Sequence, residues 1–321
     1  MSPLTEKSIK CIVTGASGFV GSRLVQRLQE LSCDVVSCVR TQGRVQSGRV
    51  VGDIHGSTDW STFLKGASAV IHTAARVHVM DDKSVDPLLE FRRVNVDGTA
   101  NLALQASAAG VRRFIFVSSI KVNGEATQEG HPFCADDLPA PEDPYGISKH
   151  EAELALREIA GRTGMEVVIV RPPLIYGPGV KGNYAAMMRW LAKGLPLPLG
   201  SVVQNRRSMV ALDNMVDLLL TCTYHPAAAD QTFMVSDGED LSTADFLRRL
   251  GQAMGKPARL LPVPVYLLRF GAGLIGKGNE AQRLLGSLQV DISKTRELLD
   301  WTPPISVDEG LRRAANGMIG L

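Results

Sequence analysis

The run Ile9-Lys-Cys-Ile-Val-Thr14-Gly15-Ala16-Ser17-Gly18-Phe19-Val20-Gly21, continuing into SRLVQRLQEL over residues 22–31, decides the fold of this chain. A short β-branched stretch ends at Thr14, glycines follow at 15, 18 and 21, and a helix-compatible segment begins directly after them. In a strand–turn–helix unit such glycines give a tight turn, let the backbone approach a pyrophosphate, and let the helix pack closely on the strand. The helix N-terminus then faces the anion, because its first N–H groups have no partner inside the helix. A bare glycine triplet says little. Its position after a strand and before a helix makes Gly15, Ser17, Gly18, Phe19, Val20 and Gly21 the expected cradle for a dinucleotide phosphate.

Outward from that turn, Ile9–Thr14, Asp34–Val39, Ala69–His72, Phe114–Ser118 and Val167–Arg171 read as strands, with Phe19–Gln29, Phe91–Ala109 and Pro144–Ala160 as helices between them. Alternation of this kind implies right-handed crossovers and an α/β fold, a Rossmann-type doubly wound parallel sheet whose active site lies at the carboxyl ends of the strands. After Arg171 the texture changes, with Pro172, Pro173, Pro178, Pro196 and Pro198 punctuating short segments. A dinucleotide-binding domain over residues 1–171 is therefore expected, with 172–321 mainly a smaller substrate lobe. The two interleave in sequence: the region around 205–240, and Gln231–Ser236 within it, is expected to return to the sheet.

Composition narrows the function. The 321 residues are 45% apolar, enough for a sizeable core, and 35 basic against 33 acidic residues leave a net charge of +2. No strong overall field gathers nucleic acid or anionic membrane, so any anionic ligand must be met by local arginines. The five cysteines, Cys11, Cys33, Cys38, Cys134 and Cys222, show neither metal-ligand spacing nor the density of a disulfide scaffold, which points to a reduced, cytoplasmic protein without a metal site. The opening MSPLTEKSIK lacks the long apolar segment of a signal peptide. Residues 260–276 are the most apolar stretch, but Pro262, Pro264, Arg269 and three glycines interrupt them. They read as a lid or core helix, with no transmembrane segment.

Two further features bear on chemistry. The second strand ends at Val39-Arg40, where an NAD-binding protein usually places an acid for the ribose hydroxyls. Arg40 would pair instead with a 2′-phosphate, which favours NADP(H) and leaves NAD(H) possible; Arg44 is a candidate helper and Arg49 reads as solvated. Asp143-Pro144 reads as an N-cap followed by proline at the first helical position, so a helix should begin beside Tyr145. Tyr145 and Lys149 are then four apart on one helix face. An ammonium beside the phenol is expected to lower its pKa from about 10, preparing it to exchange a proton with a carbonyl or hydroxyl at neutral pH. Lys149 is also placed to hydrogen-bond a nicotinamide ribose.

In series with Phe116-Val-Ser118-Ser119 at a strand end, these motifs resemble the extended short-chain dehydrogenases, the NAD-dependent epimerase/dehydratase family, across nearly the whole chain. The resemblance assigns the catalytic hydroxyl to Ser119, beside Tyr145 and Lys149, and leaves Ser118 a structural strand-end hydroxyl. It implies that Asp53 and Ile54 read the adenine and that Thr73, Ala74, Ala75 and Pro172 lie along the cofactor. Asn95 matches an asparagine bracing the active-site helices. Asn123 departs from the family's tyrosine, which puts a packing contact in doubt. His72 and His78 complete neither a metal set nor a triad and read as structural or pocket-lining.

Members that dehydrate sugars carry Asp-Glu directly after the catalytic hydroxyl; Ile120-Lys121 stands here, and isoleucine moves no proton. The segment RPPLIYGPGVKGN from Arg171 to Asn183 resembles the family's cofactor-to-substrate passage, with Asn183 near a sugar diphosphate. Leu199 falls in a nucleobase loop, and Arg207 and Arg283 match diphosphate-binding arginines, so a UDP-sugar is the implied small-molecule partner. A homodimer is compatible with the resemblance. The second-lobe runs look most like bacterial surface-polysaccharide enzymes of O-antigen type that reduce a UDP-4-keto-6-deoxy-N-acetylhexosamine at C4, which is the expected reaction. The alternative is a UDP-glucose or UDP-N-acetylglucosamine 4-epimerase. An inactive dinucleotide-sensing regulator would be expected to have lost Tyr145 or Lys149.

Overall fold

Residues 9–319 are described by a computed structural model, except 44, 46, 78–85, 181, 275 and 277; for 183, 279, 280, 318 and 319 the backbone alone is described. Its strands are β1 (Lys10–Thr14), β2 (Asp34–Val39), β3 (Arg49–Val50), β4 (Ala69–His72), β5 (Arg113–Val117), β6 (Glu166–Arg171), β7 (Leu174–Tyr176), β8 (Met209–Ala211) and β9 (Thr232–Met234). The helices are α1 (Phe19–Glu30), α2 (Ser61–Leu64), α3 (Pro87–Phe91), α4 (Gly98–Ala108), α5 (Pro144–Thr163) and α6 (Gly182–Ala192). They continue as α7 (Leu212–Tyr224), α8 (Thr243–Ala253), α9 (Val265–Leu274), α10 (Gly278–Leu285), α11 (Ser293–Leu299) and α12 (Val307–Ile319).

Seven strands form one parallel sheet in the order β3-β2-β1-β4-β5-β6-β9, the doubly wound arrangement expected. Register follows the apolar runs, with Ile12 opposite Val36 of β2 and Val70 of β4. Successive residues point to opposite faces, and both faces are covered. Val13, Ile115 and Val168 pack with Leu24 and Leu28 of α1 and Leu219 of α7, whereas Ile12, Phe114 and Phe116 pack with Leu102 of α4 and Leu156 of α5. A third core, with Tyr176, Tyr184, Met188, Phe246, Leu247 and Leu311, holds the second lobe. The chain crosses back as anticipated at β9, which pairs with β6, but β8 pairs with β7 in a separate two-stranded sheet.

Three departures have physical causes. The helix expected over Phe91–Ala109 is a composite in which a π-helical turn, Arg92–Asp97, joins α3 to α4. Arg113 belongs to β5 although it is charged and buried, because its guanidinium donates to the carbonyls of Cys222 at 2.9 Å and His225 at 2.8 Å and to Glu166 at 2.6 Å. The apolar stretch around residue 270 is no core helix: none of the residues of α9 is buried. Among the described residues no helix is long and apolar enough to cross a membrane.

Candidate active site

The turn between β1 and α1 is built as the glycine spacing implies. Gly15 has φ +67, and a Cβ there would lie 2.8 Å from the Ala74 nitrogen; one on Gly21 would overlap the Gly15 carbonyl. Gly18 caps α1 without a side chain to occupy the first N–H groups. The helix N-terminus is thus left to an external anion, and a dinucleotide pyrophosphate fits this cradle. Thr73 Oγ1 donates to the Thr14 carbonyl at 2.7 Å, and the Ala74 N–H donates to Thr14 Oγ1 at 3.3 Å, so the segment after β4 lines the same turn. Arg40 lies beyond the end of β2, exposed, with its Nε 3.4 Å from Asp53. Its charge is therefore shared with a carboxylate that the sequence reading had set on the adenine. Arg49 lies with its guanidinium 4.8 Å from the Phe63 ring centroid; Arg44 and His78 fall outside the described residues.

The centre of the site is where β5 ends and α5 begins. Asp143 caps α5 by accepting from the Gly146 N–H at 2.7 Å, and Pro144 occupies the first turn. This start fixes Tyr145 near Ser119, whose hydroxyl draws the phenol pKa downward. One turn on, Lys149 is 1% exposed, and its Nζ lies 3.8 Å from the Phe116 ring centroid. Burial pulls the ammonium down to about 7, against the pull of Glu153. The phenol behaves oppositely to the expectation from spacing. Burial, then the Asp143 carboxylate, push Tyr145 up to about 12, and only the Ser119 hydrogen bond opposes them. Desolvation disfavours the phenolate more than the Ser119 hydroxyl favours it.

Around this centre sits polar support that spacing did not reveal. Lys121 Nζ bridges Glu125, at 2.6 Å, and the capping carboxylate of Asp143, so it ties the strand end to the start of α5. Glu153 is fully buried and accepts from Ser118 Oγ at 2.6 Å and, bidentately, from Arg171 at 2.9 and 2.6 Å. Arg171 also donates to Asn123 Oδ1 at 3.0 Å, so the asparagine in the tyrosine's place is a buried hydrogen-bond partner. Glu153 lies four residues beyond Lys149 on α5, a signal legible in the sequence and missed. Asn95, in the π turn, accepts from the Arg76 N–H at 2.8 Å and donates to Ser148 Oγ at 3.0 Å, binding the turn to α5. His72 bridges Thr14 and Thr99 at 2.6 and 3.0 Å, and burial holds its pKa down to about 3, a neutral structural role.

In the second lobe Arg207 and Arg283 come together. Burial, then the Arg283 charge, lower the Arg207 pKa, and Glu125 opposes them. Two guanidinium groups with charges acting on one another in a partly buried place have the chemistry to take an anion. Leu199 packs at the edge of the third core. Pro172 is buried, with its carbonyl accepting from the Ile120 N–H at 3.0 Å. Asn183 lies in α6, but its side chain is outside what is described.

A parallel doubly wound sheet, a glycine cradle for a dinucleotide and a Ser-Tyr-Lys centre at the strand ends define an enzyme of the extended short-chain dehydrogenase class. The NAD dependent epimerase/dehydratase family model matches residues 11–236. The chain belongs to that family. A UDP-glucose 4-epimerase of Vibrio cholerae is 51% identical over 311 residues, covering 96% of this chain and 95% of that protein. In fold it is similar to the UDP-glucuronic acid 4-epimerase from Bacillus cereus in complex with NAD, with a TM-score of 0.79, 22% identity and coverage of 98% and 97% of the two chains. The UDP-N-acetylglucosamine 4-epimerase from the same organism gives 0.78, 23% identity and 98% of each chain.

These relatives overturn the C4-reductase expectation. The second-lobe runs that suggested it, RPPLIYGPGVKGN and the segment leading to Arg207, are those the family resemblance assigns to the nucleotide diphosphate. A reductase and an epimerase working at C4 need the same grip there, so those runs do not discriminate between them.

Proposed function

We propose that this chain is a UDP-hexose 4-epimerase, inverting C4 of UDP-glucose or UDP-N-acetylglucosamine. The observation that carries the reading is the hydroxyl pair of Ser119 and Tyr145 at the strand ends, one helical turn from Lys149 and beside a cradle fit for a dinucleotide. The near-full-length likeness to a 4-epimerase supports that reaction over others this centre could run.

When bound, NAD supplies the acceptor and then the donor of the C4 hydride. Tyr145 takes the proton of the sugar O4 hydroxyl as C4 becomes a ketone and returns it when the opposite face is reduced, while Ser119 holds O4 in line. A protonated Lys149, one helical turn along α5, favours the phenolate electrostatically. Arg207 and Arg283 grip the diphosphate, which leaves the hexose free to present either face. Ile120 and Lys121 offer no acid pair for dehydration, and Lys121 is already engaged with Asp143 and Glu125.

The test is to give purified protein each UDP-sugar with no added cofactor and to follow C4 inversion by NMR. Inversion through many turnovers is expected; no inversion of either sugar would overturn the reading. NADP(H) is a second cofactor reading, supported by Arg40 where an acid is usual. Mass analysis of the co-purified dinucleotide, with Arg40→Asp favouring the unphosphorylated form, decides it. Self-association is supported by Leu104 of α4 and Leu154 of α5, exposed on helices that pack side by side, and light scattering tests it.

A further inference from the structure

Helix α9 stands out because the sheet and the catalytic centre make no use of it. It is ten residues long and none of them is buried. Tyr266, Leu267, Phe270 and Leu274 are 69, 47, 67 and 73% exposed. At 100° per residue these four positions fall within an arc of about 100°, whereas Val265, Leu268 and Ala272, on the opposite arc, are half-buried against the protein. The large apolar side chains therefore form one outward stripe rather than scattered surface residues, and a contiguous stripe of this kind marks an interaction surface. Leu261, exposed on the approach to α9, adjoins it, and hydrogen bonds between Leu197 and the Arg259–Leu261 segment, 2.8 Å each, hold that approach.

Charge says what the stripe meets. Residues 251–279 contain Lys256, Arg259, Arg269 and Lys277 and no acidic residue, in a chain whose totals almost balance. Lys256, Arg259 and Arg269 are exposed. A second copy of this chain docked by a two-fold axis would set these cations against their own equivalents, which is unfavourable. An aromatic and leucine stripe bordered by arginine, in a segment without an acidic residue from 251 to 279, is instead the pattern of a helix lying in a lipid headgroup layer. We propose that α9 is a membrane-surface docking helix that holds this enzyme reversibly on anionic phospholipid without spanning it. The inference is independent of which sugar the active site takes. A near-neutral chain can dock in this way because the attraction is local, acting within a Debye length of the surface.

The test is co-sedimentation of the full chain with vesicles of phosphatidylcholine alone and with about a third phosphatidylglycerol. The unaltered protein is expected to bind the anionic vesicles, less so at high salt. Phe270→Glu combined with Leu274→Glu should lower partitioning by about a hundredfold, near tenfold for each large apolar side chain withdrawn, with epimerisation of soluble UDP-sugar and the melting temperature unchanged. If that variant folds poorly, Arg259→Gln with Arg269→Gln keeps the stripe and should lower binding to anionic vesicles alone, by about fivefold per arginine. Equal, negligible sedimentation with both vesicle types would overturn the proposal. So would a concentration-dependent dimer that the stripe substitutions abolish, which would assign the surface to a second copy.

Discussion

Replacing Glu153 by glutamine tests whether the pair beneath the catalytic helix is held by charge. The carboxylate and the Arg171 guanidinium are both essentially inaccessible, joined by two hydrogen bonds of 2.9 and 2.6 Å, and Ser118 adds a third of 2.6 Å. Burial by itself would raise the carboxyl pKa, but Arg171 and Ser118 together bring it below its ordinary value of 4.5. Glutamine preserves the shape and removes the charge, leaving Arg171 buried without a counter-ion, a change that costs about 3–5 kcal/mol. With about 2.1 cal/mol/K of unfolding entropy per residue, that lowers the melting temperature by about 4–7 °C. Because folding lowers this pKa, the stabilisation is present above the unfolded value and is lost as pH falls through the folded one. The gap between parent and variant is therefore wide at neutral pH and narrows on acidification. Arg157→Gln is the control: this arginine meets the same carboxylate at 3.3 Å but is 43% exposed, so its loss costs under about 1 kcal/mol, about 1 °C. Thermal melts by circular dichroism across pH make the comparison. A Glu153→Gln melt within about 1 °C of the parent at neutral pH would refute the reasoning, and Glu153→Leu with Arg171→Met should recover part of the loss.

Tyr145→Phe should lower kcat by about a hundredfold or more with dinucleotide content unchanged, and near-parent turnover would remove Tyr145 from proton transfer. Arg207→Met should raise KM for the UDP-sugar by about tenfold or more while kcat changes little; an unchanged KM would place the diphosphate elsewhere. Lys121→Met leaves the Asp143 carboxylate uncompensated beside Tyr145, so the acid limb of the kcat profile should move to higher pH. Lys121→Arg should restore it, and a profile that keeps its position in Lys121→Met would limit Lys121 to structure.

Much of this was legible because the signals were local. Asp34–Val39 and Ala69–His72 are strands to the residue, and α5 begins at Pro144 as its cap requires, running three residues beyond the expected Ala160 until Gly164 turns left-handed at φ 72. Ser119 follows the end of β5 and Tyr145 opens α5, places readable from Phe116-Val-Ser-Ser and Asp143-Pro144 alone. What escaped depends on partners far along the chain. Arg113 is stabilised in a strand by carbonyls more than a hundred residues away, and β7 pairs with β8 across thirty-odd residues that carry no periodicity. The Tyr145 pKa was misjudged because helix spacing reports which groups are neighbours but not how much water they lose. The reductase expectation failed for a related reason, since residues that hold a diphosphate are blind to what happens at C4.

The π-helical turn at Arg92–Asp97 makes the length of this segment as informative as its composition. Such a turn contains one residue more than an α turn. Deleting one residue would let the backbone close into uninterrupted α-helix with α4 still in phase with Phe91, because the π turn spreads its extra residue over the same total rotation. Leu102, Ala103 and Ala106 would then stay against the sheet, and the change would fall on the turn itself, where Asn95 meets Ser148. A one-residue deletion at this turn therefore spares the core and removes the brace, whereas one farther along α4 would turn its buried face from the sheet, and homologous chains without the extra residue should also lack the asparagine.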